Sequence, residues 1–288
     1  MMNVLTKQQI NFFQFNGYLL LENAVDDNAL NLLRTEFQGW VDESRQQNEN
    51  YGECIDGRAR FDLEATHSAV APALRRVNAP VEISETYNSV MRNSRMSQAV
   101  SDLIGPDVKF HHSKVNSKLP GSNTNVKWHQ DFLFTPHSND DLVTALLMLD
   151  DVTEDNGPLE VLPQSHKGPL HSLWHDNQFT GAVEESVAKE SQANAVQCCG
   201  TAGTVCLMHT RLLHGSAPNQ TNRSRTLFIC VYSAADAIPC SPNPMPNKFE
   251  GDIVSGQDTN KVRAVAYSIR LPEVSNTASF FNQQDKDA

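Results

Sequence analysis

The sequence contains no apolar run of the roughly 20 residues that a bilayer-spanning helix needs. Its first residues show no basic segment followed by an apolar core, so no secretory leader is expected. The last five, Gln284-Asp285-Lys286-Asp287-Ala288, carry no peroxisomal tripeptide. Cysteine is sparse: Cys54, Cys198, Cys199, Cys206, Cys230 and Cys240 are the only six. None forms a C-x-x-C pair, and adjacent Cys198-Cys199 is a poor disulfide, so free thiols in a reducing cytoplasm are expected. Positive charge is also short. Lys and Arg number 23 against 34 Asp and Glu, a formal net charge of −11. An acidic chain argues against nucleic-acid or anionic-membrane partners, though a local basic pocket stays open. No composition break, Gly/Ser linker or internal repeat divides the 288 residues, so one domain, 1–288, is expected.

What is present begins with helices. Thr6-Lys7-Gln8-Gln9 has the capping-box form, with Thr6 as N-cap, and predicts a short helix that buries Ile10 and Phe13 and stops near Gly17. Tyr18 to Leu21 reads as a strand. Leu30, Leu33, Phe37, Trp40 and Val41 recur at helical spacing and predict a helix from about Asp27 to Ser44. Residues 45–57 read as loop. Ser84 caps a third predicted helix running through Val100 to Ile104, ended by Gly105-Pro106. From Val108 the pattern changes to short strands separated by turn residues: Val108–Leu119, Val126–Phe132, Val143–Leu149, Leu159–Pro163, Thr204–Met208 and Thr226–Ser233. Such a series predicts an all-β sandwich or barrel with the helices outside it.

The chemistry gathers around Trp128-His129-Gln130-Asp131. Extended backbone alternates its side chains, so His129 and Asp131 point the same way and can reach one divalent metal. A further histidine, His214, can complete a two-histidine, one-carboxylate set that leaves positions open for substrate and oxygen, as in non-haem Fe(II) oxygenases. Arg225 follows His214 by eleven residues. With these words come Asn156-Gly157-Pro158-Leu159-Glu160-Val161-Leu162-Pro163-Gln164-Ser165-His166-Lys167-Gly168, His214-Gly215-Ser216-Ala217-Pro218-Asn219 and Arg223-Ser224-Arg225. In this order and spacing the sequence resembles the phytanoyl-CoA dioxygenase family of Fe(II)/2-oxoglutarate oxygenases, over roughly Leu5 to Asp236.

The resemblance implies a double-stranded β-helix, the cupin-like jelly roll, with a mostly helical layer (1–106), a core (107–236) and a C-terminal extension (237–288). It implies Fe(II) on His129, Asp131 and His214, with 2-oxoglutarate as cosubstrate and O2 as oxidant. Arg225 would pair with the distal carboxylate of 2-oxoglutarate, since a guanidinium fork matches a carboxylate bidentately. Arg223, two residues earlier, is the rival. Ser216 and Asn116, the latter thirteen positions before the first histidine, would donate to the same cosubstrate. Retention of Asp131 implies hydroxylation rather than halogenation. The segment 168–197 is longer than an ordinary connection and reads as a lid.

The other histidines are weighed against this set. His209 is the best rival to His214 but reads as a packed strand residue. Alternation lets only one of His111 and His112 face the site. His137 lies too far past Asp131 to share its face. His67, His166, His171 and His175 read as loop or surface residues, with His166 holding its turn. Trp128, Phe132, Phe134 and Trp174 are candidates for the pocket wall, with core packing the commoner fate of such residues. The implied activity is hydroxylation, or another oxidation, of an unactivated C–H bond in a small or medium-sized metabolite. The alternatives are an acyl-CoA hydroxylase of the same family and a jelly roll that binds metal or ligand without catalysis.

Overall fold

The computed structural model describes residues 3–120, 122–274 and 284. Helix α1 (Lys7–Asn16) starts on the expected box: Thr6 accepts from the Gln9 N–H, and Gln9 Oε1 accepts from the Thr6 N–H at 2.9 Å. Gly17 ends it with φ +83, a left-handed conformation that only glycine adopts at low cost. Strand β1 (Tyr18–Leu21) and helix α2 (Asp27–Ser44) follow as the sequence predicts, and α2 buries Leu30, Leu33, Phe37 and Val41.

Three features differ from expectation. Residues 45–57 contain a strand, β2 (Tyr51–Glu53), and two more follow, β3 (Ala59–Leu63) and β4 (Leu74–Asn78). Their polar interior residues hide any apolar alternation: Arg60 is buried against Glu82 at 2.7 Å, and Asp62 pairs with Arg75 at 2.8 Å. The third helix is two, α3 (Glu85–Asn93) and α4 (Arg95–Ile104). Ser94 sits between them in extended backbone (φ −105, ψ 167), and its hydroxyl accepts from Ser97 N–H, so the side chain substitutes for the continuing helix. The first 106 residues are therefore a mixed layer of helices and strands.

The remaining strands are β5 (Val108–Lys118), β6 (Val126–His129), β7 (Leu142–Met148), β8 (Leu159–Val161), β9 (Trp174–His175), β10 (Gln178–Phe179), β11 (Val196–Cys198), β12 (Val205–His209), β13 (His214–Ser216), β14 (Arg225–Ala234) and β15 (Ile253–Ser255), with helix α5 (Glu185–Ala193) between β10 and β11. A nine-stranded antiparallel sheet runs β1-β12-β7-β14-β5-β4-β3-β2, with β15 also on β5. A four-stranded sheet runs β11-β8-β13-β6. The two sheets make the expected jelly roll. The segment 168–197 folds as the β9–β10 hairpin, turned by Asp176 and Asn177 at φ +48 and +63, and then α5.

Alternation divides the large sheet's residues between two apolar clusters. Leu147, Leu207 and Phe228 face Leu33, Phe37, Tyr87 and Met91 of the helices. Leu146, Met148, Leu227 and Ile229 face inward, toward Leu159, Val161 and Leu212. The helices thus cover one face of the large sheet, and the space between the sheets is left for a site.

A knot of histidines lies at one end of that space. Contrary to strict alternation, the His111 and His112 rings meet, Nδ1 to Nδ1 at 2.6 Å. The pairing slips between Val231 and Tyr232, opposite His112 and Phe110, so β5 carries an extra residue there and the bulge turns both rings to one side. His137 packs on His111 at 5.0 Å between ring centres. Burial lowers the pKa of His111 to about 3, with His137 adding to it, and burial lowers His137 to about 4. Both folded values lie below the unfolded value of about 6.5. The unfolded chain therefore binds these protons first, and stability is lost as pH falls below about 6.5, by on the order of 1 kcal/mol per pH unit for each ring. Urea unfolding between pH 7 and 5, above the carboxylate range, should show this slope, and His137→Asn should reduce it. A flat profile in that interval would contradict the assignment.

Candidate active site

His129 closes β6 and pairs directly across the ladder with His214, the first residue of β13; their rings are 4.1 Å apart. The expected strand Val126–Phe132 stops at His129, because Asp131 opens a 3-10 turn, Asp131–Leu133. Gln130 between them is still extended (φ −122, ψ 123), so the two-residue alternation survives and Asp131 returns to the side of His129. Gln130 itself faces away. Its amide donates to Arg211 O at 2.6 Å and Pro169 O at 3.2 Å, and its oxygen accepts from His171 N–H at 2.9 Å.

The donors converge. Asp131 Oδ1 lies 3.4 Å from His129 Nε2 and 3.6 Å from His214 Nε2. The three ligand atoms all fall within 4.8 Å of one another, and among the described residues no other group of three His, Cys, Asp or Glu does so. Donors bound at about 2.0–2.2 Å sit roughly 3 Å apart on adjacent corners of a coordination shell. Each imidazole is also aimed. His129 Nδ1 lies 2.7 Å from Lys127 O and His214 Nδ1 2.9 Å from Leu212 O. A carbonyl only accepts, so each Nδ1 carries the proton and each Nε2 turns its lone pair to the centre. Thr144 Oγ1 donates to Asp131 Oδ2 at 2.7 Å, which leaves Oδ1 for a metal.

Charge states agree with this geometry. Burial, then His129, lowers the pKa of His214 to about 4, so the ring is neutral at pH 7. Burial opposes ionisation of Asp131. The His214 and His129 imidazoles and the Lys114 ammonium outweigh it and hold the carboxyl well below the usual range. A neutral imidazole and an ionised carboxylate are the forms that bind divalent metals.

A small cavity lies beside these ligands. Arg225, Ser216 and Asn116 all line it, as do His129, Asp131 and His214. Arg225 opens β14 opposite Lys118 of β5 and is buried. Its Nε and one terminal nitrogen donate to Gly157 O at 2.9 and 2.6 Å. Gly157 has φ +77, and a Cβ there would lie 2.5 Å from Ala217 O. The Asn-Gly-Pro word thus presents a backbone carbonyl to the guanidinium at a place where no side chain fits. Arg223 precedes the strand and is exposed.

Gly215 and Ser216 belong to β13, which ends at Ser216. Lys118 was not anticipated. Its Nζ donates to Ser216 Oγ at 2.7 Å and to Ala217 O, and burial, then Arg225, lowers its pKa to about 5. Lys114 and Arg75 also line the cavity, and Arg76 donates to Asn116 Oδ1 at 3.0 Å. Alternation along β5 carries the signal: once Asn116 faces inward, so do Lys114 and Lys118.

The remaining candidates stand apart. His209 ends β12, where its Nδ1 accepts from Arg211 N–H at 3.1 Å and its ring packs on His166. His166, expected near the surface, is buried with Nε2 3.3 Å from Gln14 O. His67 ties two backbone segments, at Ser44 O and Ala73 N–H. His175 Nε2 is 2.9 Å from Ala182 O. None of Trp128, Phe132, Phe134 and Trp174 lines the cavity; Phe132 packs on Tyr267, and Trp128 sits in the cluster with Leu133, Leu173 and Phe179.

Comparison with known proteins agrees with the geometry. The family described as phytanoyl-CoA dioxygenase matches residues 13–227. The chain belongs to the phytanoyl-CoA dioxygenase family. One relative, the probable alpha-ketoglutarate-dependent hypophosphite dioxygenase of Stutzerimonas stutzeri, is 33% identical over 218 residues, 74% of this chain and 75% of the relative. The L-proline trans-4-hydroxylase of Streptomyces griseoviridis is 28% identical over 247 residues, 79% of this chain and 86% of the relative. EctD from S. alaskensis with bound Fe has the same fold, with a TM-score of 0.65 at 20% identity over 93% of this chain and 89% of that one. As a phytanoyl-CoA dioxygenase family member, the protein is an oxidoreductase, an Fe(II)- and 2-oxoglutarate-dependent dioxygenase of a small-molecule substrate.

Proposed function

We propose that His129, Asp131 and His214 are the Fe(II) ligands and that Arg225, Ser216 and Asn116 receive 2-oxoglutarate. The observation that carries this reading is the convergence of two lone-pair-bearing Nε2 atoms and one carboxylate oxygen, with both Nδ1 atoms fixed to backbone carbonyls. Bound there, Fe(II) supplies, with 2-oxoglutarate and O2, the oxidation that side chains alone cannot perform. The protein's own residues do the rest. Arg225, held by Gly157 O, offers its remaining N–H groups to the distal carboxylate. Thr144 keeps Asp131 oriented. Leu146, Leu159, Leu227 and Ile229 line the cavity and reduce the water around it.

The substrate is a small or medium-sized metabolite rather than an acyl-CoA. Hypophosphite and proline, in the names of two relatives, are small molecules, and one cavity must serve metal, cosubstrate and substrate together. The chain folds as one domain, a reading supported by the apolar cluster that helices α1 to α4 share with β5, β7, β12 and β14. It acts in the cytoplasm, a reading supported by six free cysteines; no helix among the described residues is long and apolar enough to cross a membrane. No nucleic acid or membrane is a partner, in keeping with the charge of −11.

The test is anaerobic reconstitution with Fe(II), then addition of 2-oxoglutarate, O2 and hypophosphite, proline or an acyl-CoA. Succinate should form only with iron and 2-oxoglutarate both present. Succinate-free conversion supported by Zn(II) would contradict the reading, and efficient oxidation of the acyl-CoA alone would reverse the preference on substrate size.

A further inference from the structure

Two basic side chains share the end of the cavity proposed above for the cosubstrate. Lys118, the last residue of β5, pairs directly across the ladder with Arg225, the first residue of β14. Directly opposed residues of an antiparallel pair hold their Cβ atoms roughly 5 Å apart on one face. Both side chains line the cavity, and both are enclosed, Lys118 at 2% exposed and Arg225 at 3%. The Asn156-Gly157-Pro158 word holds them together. Gly157 O accepts from the guanidinium, and a Cβ on Gly157 would lie 3.1 Å from Lys118 Cδ and 3.2 Å from its Nζ. Asn219 fixes the strand end, donating to Lys118 O at 2.9 Å.

Like charges directly opposed across a strand pair repel, the more so with little water between them. The partners of Lys118 Nζ are uncharged: Ser216 Oγ at 2.7 Å, Ser216 O at 3.4 Å and Ala217 O. These three oxygens satisfy either form of the amine. An ammonium donates to all three. A neutral amine donates to the two carbonyls and accepts from the Ser216 hydroxyl, whose proton only has to turn. Surrounding charge decides between the forms. Burial, then Arg225, lowers the pKa of Lys118 to about 5, against the attraction of Glu160 on β8 and Glu64 just past β3. Lys114 on β5, Arg75 on β4 and Asp131 after β6 face the same cavity, as do the His129 and His214 rings. With no anion on Arg225, the neutral amine is the form at pH 7.

We propose that Lys118 is a proton-coupled receptor for the distal carboxylate of 2-oxoglutarate. As the carboxylate settles on Arg225, Lys118 takes one proton from solvent and donates to Ser216 Oγ, and the Ser216 hydroxyl turns from the amine to the carboxylate. This deepens the cosubstrate site proposed above and rests on it. One N–H bond forms with a solvent proton, and no electrons are transferred.

The carboxylate removes the reason for Lys118 to stay neutral, because a negative charge then lies between the two basic groups. Lys118 therefore titrates near 5 in the free protein and higher in the complex. Binding takes up a proton between those two values. Affinity for 2-oxoglutarate is fullest below this window and falls as pH rises through it, by up to about tenfold per pH unit for one proton. A keto acid with an uncharged tail cannot recruit the proton, so Lys118 selects for a second carboxylate.

The test uses the full chain loaded anaerobically with Fe(II). Calorimetry of 2-oxoglutarate binding at pH 7, in buffers of low and high ionisation enthalpy, counts the protons taken up. About one proton per 2-oxoglutarate is expected. Lys118→Met, similar in length and without an amine, should take up about none and bind roughly tenfold or more weakly at pH 7. Iron and its bound water are the same in both proteins, so the difference isolates Lys118. 2-Oxopentanoate, with a methyl group in place of the distal carboxylate, should bind without proton uptake. From pH 6 to 8 the affinity of the unmutated protein for 2-oxoglutarate should fall, and that of Lys118→Met should stay nearly level. Unmutated protein that binds 2-oxoglutarate without proton uptake, or Lys118→Met that takes up as many protons, overturns the proposal. The first outcome needs no variant, so it stands even if Lys118→Met fails to fold. Iron-loaded protein that binds no 2-oxoglutarate overturns the cosubstrate site itself, whereas a proton-free complex overturns the role of Lys118 alone.

Discussion

His214→Ala is expected to abolish tight iron binding and turnover, and His129→Ala to do the same, with the fold retained. Loss of an outer partner of a metal ligand already costs 10–100-fold in affinity, so loss of a ligand itself should cost more than about 100-fold. Both rings hold Nδ1 on a backbone carbonyl, and neither alanine introduces a new charge. The control is His209→Ala. His209 packs on His166 at 5.2 Å and accepts from Arg211 N–H, so its loss should lower stability and leave iron affinity within a fewfold. Anaerobic iron titration with circular dichroism distinguishes these outcomes. An active His214→Ala beside an inactive His209→Ala would mean that the third ligand is misassigned.

Arg225→Ala should produce the second large effect, a 2-oxoglutarate KM raised by roughly 30-fold to several thousand-fold, the equivalent of about 2–5 kcal/mol for a lost buried charge pair. Arg225→Lys should recover only part, because an ammonium cannot hold Gly157 O and a carboxylate in the same fork. Gly157→Ala should show the same defect without touching the arginine, since its Cβ would press on Ala217 O and shift the carbonyl that anchors the guanidinium. Arg223→Ala should leave the KM unchanged. Initial-rate kinetics in 2-oxoglutarate measures all four, and an unaffected Arg225→Ala with a defective Arg223→Ala would transfer the role.

Much of this site is legible in the sequence because its chemistry is local. His-x-Asp in extended backbone fixes a shared side whatever the fold, and Arg225 starts a strand whose apolar run is plain from Leu227 to Val231. Helices α1 and α2 announce themselves through caps and periodicity. The strands that escaped notice are those with inward polar residues. Arg76 and Asn78 on β4 spoil the apolar alternation that marks a strand, yet they lie beside the site. The bulge that brings His111 and His112 together depends on the pairing with β14, which no local pattern of β5 records. The break at Ser94 likewise turns on one hydroxyl replacing a helical hydrogen bond. The cationic wall was hidden by averaging. A net charge of −11 belongs to the whole chain, whereas Lys114, Lys118, Arg75 and Arg225 gather where, among the described residues, Asp131 is the only lining carboxylate.

The most direct measurement is a crystal structure of the protein grown anaerobically with Fe(II) and 2-oxoglutarate. The account predicts one metal ion bound by Nε2 of His129, Oδ1 of Asp131 and Nε2 of His214, with the distal carboxylate of 2-oxoglutarate on Arg225. A metal ion seated instead among His111, His112 and His137, or a cosubstrate carboxylate that leaves Arg225 on Gly157 O alone, would contradict it.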